Sequence, residues 1–261
     1  MKRFFIDQKL GETVEFSGME FHHLVNVLRL GMSAEVTICC GDEFDYTYTI
    51  IALTRHVVTL KRISVAPNTA NPRANVSVFM AIIKPDPLHI AITNLNEIGA
   101  RELVLFNADR CNTSPKNLNL EKLNTVAKQS CKQCTRSIPL HVRLTNDEPN
   151  IALRDFDVVF FADETLPKVG SPDTKIPSKN TTNPKIPPKN TPDFHHIPPI
   201  SPTQNVAIVI GPEGGFTPNE RAKLVALPNA HAISLGRRIL RAETAATVAA
   251  SIILEKMGEL S

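Results

Sequence analysis

The chain has 261 residues, 42% of them hydrophobic, and its 29 Lys and Arg against 26 Asp and Glu leave a net charge of +3. That is enough chain to bury a sizeable core in one large or two modest domains, with a composition ordinary for a soluble globular protein. So mild a charge permits an RNA partner without pointing to one, because a nucleic-acid footprint rests on clustered basic residues more than on the total. No stretch is apolar for long enough to cross a bilayer, so no membrane partner is expected. The start, Met1-Lys2-Arg3-Phe4-Phe5-Ile6-Asp7, lacks the long apolar core and small-residue cleavage site of a secretory signal. A cytoplasmic location is therefore expected.

The first seventy residues read mostly as strands. Ser17-Gly18-Met19-Glu20 has capping-box spacing and predicts a short helix running through Phe21–Leu28. After it, Ala34–Cys40, Phe44–Leu53 and His56–Val65 are rich in Val, Ile, Thr, Tyr and Phe, and Gly41-Asp42 joins the first two as a hairpin turn. Short strands with one helix suggest a small β-barrel-like module over residues 1–70, closed by the linker Pro67-Asn68-Thr69-Ala70-Asn71-Pro72.

From residue 73 to 261 the pattern alternates between strand and helix. Val76–Ile83 is strand-like, and Asp86-Pro87 predicts a helix cap followed by proline, with Gly99 as the stop. Glu102–Phe106 reads as a strand, Leu120–Cys134 as a helix and Asp157–Ala162 as a strand. Thr217-Pro218-Asn219-Glu220 is a second capping box, for a helix ending before Pro228. The last helix spans Glu243 to Met257, stopped by Gly258, with Val248, Ala249, Ile252, Ile253 and Met257 along one side. The alternation predicts an α/β domain on a largely parallel sheet.

Two features stand apart. Five cysteines form no disulfide framework, and the Cys131/Cys134 pair falls on the apolar face of the helix with Leu120, Leu123 and Ala127. No second Cys or His pair completes a zinc set, so these thiols read as core and no metal is expected. Residues 166–202 contain Lys175-Ile176-Pro177-Ser178-Lys179-Asn180 and then Lys185-Ile186-Pro187-Pro188-Lys189-Asn190. Composition so rich in Pro, Lys and Asn predicts a flexible insertion, solvated rather than bound to RNA.

The chemistry concentrates near the C-terminus. The apolar run Val206–Ile210 breaks into Gly211-Pro212-Glu213-Gly214-Gly215-Phe216-Thr217, and Ser234-Leu235-Gly236-Arg237-Arg238-Ile239-Leu240-Arg241-Ala242-Glu243-Thr244-Ala245 leaves a short strand through glycine into a helix. Glycine permits a sharp turn and close backbone approach, and two strand exits side by side predict a ligand crevice at the carboxyl ends of parallel strands. Tight turns alone are the competing reading.

These two blocks, in this order and spacing, resemble the 16S ribosomal RNA (uracil-N(3))-methyltransferase family, which belongs to the SPOUT class. The likeness extends through His22-His23-Leu24-Val25-Asn26-Val27-Leu28-Arg29-Leu30, similar to an H-H-L-x-x-V-L-R motif. It continues in Asn96-Glu97-Ile98-Gly99, Asp109-Arg110 and Gln133-Cys134-Thr135-Arg136. The chain departs from the family at Lys84-Pro85-Asp86-Pro87, Gln129 and Lys132, and in the insertion. The resemblance implies an α/β SPOUT methyltransferase domain with a C-terminal trefoil knot, preceded by a small PUA-like β-barrel that holds RNA. It further implies S-adenosyl-L-methionine as cofactor, 16S ribosomal RNA or the small ribosomal subunit as partner, and a homodimer.

By matching position, the resemblance assigns cofactor binding to Phe161, Ala162, Asp163 and Glu164, to Gly211, Glu213 and Gly214, and to Leu235, Gly236, Ile239 and Leu240. Uracil N(3) attacks only after losing its proton, and the charge then spreads to the flanking carbonyl oxygens, so a cationic donor there would stabilise the anion. Arg241 suits that role, at a helix start where positive charge opposes the helix dipole; a phosphate clamp or a salt bridge to Glu243 is the alternative. Glu243 fits either a base or a helix-end charge, and Arg110 reaches a site, its own or the partner subunit's. For RNA, Arg3, His22, His23 and Arg29 are candidates on the first module, with Arg136 and Arg237 as phosphate holders or solvated surface. Another SPOUT target, or a non-catalytic RNA-binding assembly protein, are the alternative functions.

Overall fold

The computed structural model of the chain describes residues 2–6, 8–166, 197 and 199–260. It divides into two compact units: Met1–Asn71 with Lys128–Pro139, and Pro72–Ala127 with Leu140–Ser261.

The first unit is built on one five-stranded sheet. Its strands are β1 (Lys2–Phe5), β2 (Thr13–Ser17), β3 (Glu35–Cys39), β4 (Phe44–Leu53) and β5 (Val57–Pro67), in the order β1-β3-β4-β5-β2. β1 runs parallel to β3 and the other pairs are antiparallel. Strict alternation in β2 turns Val14 and Phe16 inward, where they join Phe4, Leu24, Val36, Ile38, Tyr48, Ile50, Val58 and Leu60. The rings of Phe4 and Phe16, from the two edge strands, lie 6.3 Å apart, so the sheet curls until its edges face each other. Both edge strands escaped sequence reading because KRFF and TVEFS are about half polar and form no apolar run.

The helix of this unit starts differently from its sequence pattern. Ser17 makes no side-chain cap bond, because Gly18 enters with φ 58° and the capping-box geometry is lost. A single α turn, α1 (Gly18–Phe21), passes into a π-helical turn over His22–Val27, closed by the Leu28 amide donating to the His23 carbonyl at 2.9 Å. That wider winding seats Leu24 in the core. The hairpin at Gly41 forms as predicted, with Gly41 at φ 83° and the Phe44 amide donating to Asp42 Oδ1.

Lys128–Pro139 joins this unit through a polar seam with the Asn68–Asn71 turn. Asn71 Oδ1 accepts from the Ser137 and Ile138 amides, Ser137 Oγ donates to the Asp42 carbonyl at 2.6 Å, and Asn68 Nδ2 donates to the Thr135 carbonyl. Residues read from sequence as linker are thus a bonding hub.

The second unit alternates strand and helix: β6 (Asn75–Ala81), α2 (Pro85–Ile98), β7 (Glu102–Phe106), α3 (Leu120–Cys134, its first half), β8 (His141–Leu144), α4 (Pro149–Ala152), β9 (Val158–Ala162), β10 (Asn205–Ile210), α5 (Pro218–Val225), β11 (Ala230–Ile233) and α6 (Ala242–Lys256). The six strands form one wholly parallel sheet in the order β11-β9-β10-β6-β7-β8. Its central strands are buried on both faces, which explains why Val206–Ile210 and Val158–Phe161 read as continuous apolar runs. On one face Val76, Val78, Met80 and Ile208 pack against Leu88, Ile92, Ala246, Ala249 and Ile253 of α2 and α6; on the other, Phe79, Phe106, Phe161 and Val209 pack with Leu224 of α5.

Three sequence expectations need correcting here. α2 begins two residues earlier than Asp86-Pro87 suggested: Lys84 is the N-cap and Pro85 the first helical residue, so Asp86 is a first-turn charge. Along α6, Ala249, Ile253 and Met257 are buried, whereas Val248 and Ile252 are only partly so, because the inward face is the alanine-rich stripe. The insertion expected over 166–202 is core-packed at its ends, with Leu166, Ile197 and Ile200 buried. Residues 167–196 and 198 lie outside the described residues. By contrast Gly99 caps α2 at φ 100°, and Thr217 and Glu220 form both bonds of the capping box on α5.

Candidate active site

Because all six strands are parallel, their carboxyl ends share one edge, and the loops leaving β9, β10 and β11 meet there. They enclose a cavity of ≈ 570 Å³. Ala162, Asp163 and Glu164 line it from the first loop, Gly211 and Glu213 from the second, and Leu235, Gly236, Ile239, Leu240, Arg241 and Glu243 from the third. Nearly all the residues that the resemblance assigned to a cofactor are therefore brought together. Phe161 is the exception, since it points into the sheet core and is 1% exposed. Gly214 is also absent from the wall; it packs instead against Arg110.

The glycines have distinct reasons. Gly236 takes φ 99° with open space where a side chain would stand, so a β-carbon would strain the backbone. Gly215 takes φ 67°, and its β-carbon position lies 2.6 Å from Glu164 Oε1, which ties the second loop to the first.

Charge within the cavity is divided between committed and free groups. Asp163 is committed: Arg221 Nε donates to its Oδ2 at 2.5 Å, and the Thr165 amide and hydroxyl donate to its Oδ1 at 2.9 and 2.7 Å. Its carboxylate therefore braces the loop, leaving only its backbone to face a ligand. Lys84, Arg238, Arg241, Glu164 and Glu243 also line the cavity, and none has a side-chain hydrogen bond or ion pair among the described residues. The Arg241–Glu243 salt bridge allowed by the sequence does not form. Arg241 is the exposed N-cap of α6, whereas Glu243, two residues on in the first turn, is only 9% exposed.

Sequence reasoning missed Lys84, Thr165, Phe216, Arg221 and Arg238 on this wall. Arg237, a phosphate holder or solvated surface by the sequence reading, is exposed and outside the lining, whereas its neighbour Arg238 lines the cavity; adjacency in sequence does not say which side chain turns inward. Lys84 belongs to the very segment where the chain departs from the family pattern.

Arg110 also sits outside the cavity. Its Nη1 donates to the Gly214 carbonyl at 2.8 Å, the Asp109 amide donates to Glu220 Oε1, and Asp109 Oδ2 accepts from Thr217 Oγ1. This docks the loop after β7 onto the glycine turn, so within its own chain Arg110 positions that turn. Behind the site, the His231 ring lies 5.7 Å from Phe160, and burial pushes its pKa below the usual histidine value.

The RNA candidates of the first unit separate sharply. Arg3 forks onto Asp45, Nη1 to Oδ1 at 2.5 Å and Nη2 to Oδ2 at 2.9 Å, and its side chain is 9% exposed. Burial disfavours its charge, but the bonds to Asp45 outweigh that and hold its pKa above the ordinary value. Arg136 is 2% exposed, with Nε donating to the Ile138 carbonyl at 3.1 Å. Neither can grip a phosphate; both correct the sequence expectation. His23 stacks edge-on against Phe4 with ring centroids 5.5 Å apart, whereas His22 and Arg29 are exposed, Arg29 with φ 54°.

Comparison with known proteins gives the family. A family model described as an RNA methyltransferase domain matches residues 69–254, and one described as an RNA methyltransferase PUA domain matches residues 16–61. A Bacillus subtilis protein named ribosomal RNA small subunit methyltransferase E is 27% identical over 265 residues, covering 97% of this chain and 96% of the relative. A Rickettsia conorii protein of the same name is 25% identical over 252 residues, covering 95% and 92%. The crystal structure of ribosomal RNA small subunit methyltransferase E from Neisseria gonorrhoeae, bound to S-adenosylmethionine, superposes with a TM-score of 0.74 at 20% identity over 98% of this chain and 97% of that one. With its parallel-sheet unit and carboxyl-edge cavity falling inside the match over residues 69–254, the chain belongs to the RNA methyltransferase domain family.

Proposed function

We propose that this chain transfers a methyl group from S-adenosylmethionine to N(3) of a uridine in the 16S ribosomal RNA of the small ribosomal subunit. The observation that carries the reading is the carboxyl-edge cavity with Arg241 and the nearly buried Glu243, neither of them paired among the described residues. The names of the relatives support a small-subunit ribosomal RNA target. The N(3)-uridine assignment rests on the sequence resemblance.

The cavity suits the cofactor in size and chemistry. At ≈ 570 Å³ it lies within the range of small-molecule sites. Gly211 and Gly236 present backbone to an adenosine, Leu235, Ile239 and Leu240 offer apolar surface, and the carboxylates of Glu164 and Glu213 suit a cationic ligand. When bound, the cofactor supplies a methyl already activated by its positive sulfur, so the protein's task is aim and exclusion of water. Arg241 donates to the uracil carbonyl oxygens as the N(3)–H bond breaks and charge spreads onto them. Glu243 receives that proton, directly or through one water. Asp163, held by Arg221 and Thr165, keeps the first loop in place, and Arg110 does the same for the glycine turn.

The same reading takes residues 1–70 as a PUA-like barrel that holds RNA through Arg29 and His22, and residues 73–261 as a SPOUT domain with a trefoil knot. It takes the working form as a cytoplasmic, metal-independent homodimer. The curl that brings Phe4 to Phe16 supports the barrel, and the partly exposed Val248 and Ile252 on α6, with Ile90 on α2, supply an apolar surface for a second copy.

Calorimetric titration with S-adenosylmethionine tests the cofactor, and absence of binding sinks the enzyme reading. Transfer of labelled methyl to ribosomal RNA from cells lacking this protein, followed by nucleoside analysis, tests the target. A product other than 3-methyluridine overturns the assignment.

A further inference from the structure

A second cavity of ≈ 500 Å³ opens at the carboxyl ends of β7 and β8, on the same sheet edge as the first. Phe216 lines both, so the two are neighbours separated by the glycine turn. Nothing in the mechanism above uses it.

Its chemistry is unlike that of the first. The cation on its wall, Lys223, is paired with Glu148 at 2.6 Å. Glu220 is spent on the Asp109 amide and on Thr217, and Asp109 accepts from the Thr217 hydroxyl. What remains uncommitted among the described residues are three amides, Asn107, Asn146 and Asn219, together with the Asp147 carboxylate. Each amide offers an acceptor and two donors. With no free cation among the described residues of its wall and several carboxylates on it, the cavity disfavours a phosphate. A flat neutral ring with hydrogen-bonding edges is matched, the amides meeting its edge and Phe216 its side. In single-stranded RNA such rings are unstacked bases, read by amide side chains and aromatic rings.

We infer that this cavity receives an unstacked base of the RNA substrate, a near neighbour in sequence of the methylated nucleotide. The inference rests on the RNA methyltransferase reading of the first cavity. It makes Asn107, Asn146 and Asn219 specificity-determining residues that lie apart from the reacting atoms.

The test combines the triple variant Asn107→Ala, Asn146→Ala, Asn219→Ala with an RNA substrate made abasic at each position flanking the target in turn. None of the three amides bonds to another of the described residues, so the variant should fold, and calorimetry should give S-adenosylmethionine affinity within about twofold of wild type. One abasic position should raise KM for wild type by roughly tenfold, the scale of a single base contact, with kcat little changed. The triple variant should raise KM similarly on intact RNA, and combining it with that abasic position should add nothing further. If the two effects multiply, or the triple variant methylates intact RNA with wild-type KM, the inference is overturned. Competition by spermidine for the cavity, relieved by Asp147→Asn, would instead make it an amine site. Failure of the wild-type protein to methylate any RNA would count against the first cavity's reading, and is distinguishable from all of these.

Discussion

Two arginines of the first unit and two of the second have opposite fates. In the first unit, Arg3 and Arg136 are buried and bonded, Arg3 forked onto Asp45 and Arg136 onto the Ile138 carbonyl. In the second, Arg238 and Arg241 line a cavity with no partner among the described residues. The same side chain is a structural tie where it has been taken out of water and matched to acceptors. It is available for chemistry where the fold leaves it facing open space. A buried guanidinium stays only if its donors are satisfied, whereas an unpaired one beside a cavity keeps its field for a ligand.

The contrast is open to attack at both ends. The largest effect should come from Arg241→Ala, expected to lower kcat by about a hundred- to a thousandfold, as for loss of a donor to a developing oxyanion. S-adenosylmethionine affinity and thermal stability should stay near wild type. A fall confined to KM would make Arg241 a phosphate clamp.

Arg3→Ala should do the reverse, destabilising the first unit by about 2–4 kcal/mol, because Asp45 is left part-buried without its fork. Denaturant unfolding reads this directly. A stable Arg3→Ala protein with weakened RNA binding would return Arg3 to the RNA surface.

The smallest effect concerns His231. Its folded pKa is depressed by burial, so the unfolded chain binds the proton more readily, and the stability it contributes is present above about pH 6.5 and lost as pH falls below that value. His231→Gln should flatten this part of the stability–pH curve. An unchanged slope would show that the ring is not held neutral against Phe160.

Much of the second unit was legible because its signals are local. Leu120–Cys134 and Glu102–Phe106 were bounded to the residue, and Thr217 with Glu220 formed the box their spacing described. The edge strands β1 and β2 were not legible, since KRFF and TVEFS are about half polar, unlike the apolar run Leu103–Phe106, and owe their form to pairing with β3 and β5. Likewise Ser17 carries a capping pattern that Gly18's left-handed backbone cancels.

The sequence alone determined the alternating strand–helix order, the two glycine exits that become the cavity wall, and the presence of Arg241 and Glu243 at a helix start. These follow from nearest-neighbour geometry, in which glycine, proline and capping residues act on the backbone within a few positions. Only the tertiary structure decided which charges are free. Arg3 meets Asp45 across 42 residues and Arg221 meets Asp163 across 58, while Arg238 rather than Arg237 turns to the cavity. Whether a charge is paired depends on what folding brings beside it, and that information is spread along the whole chain.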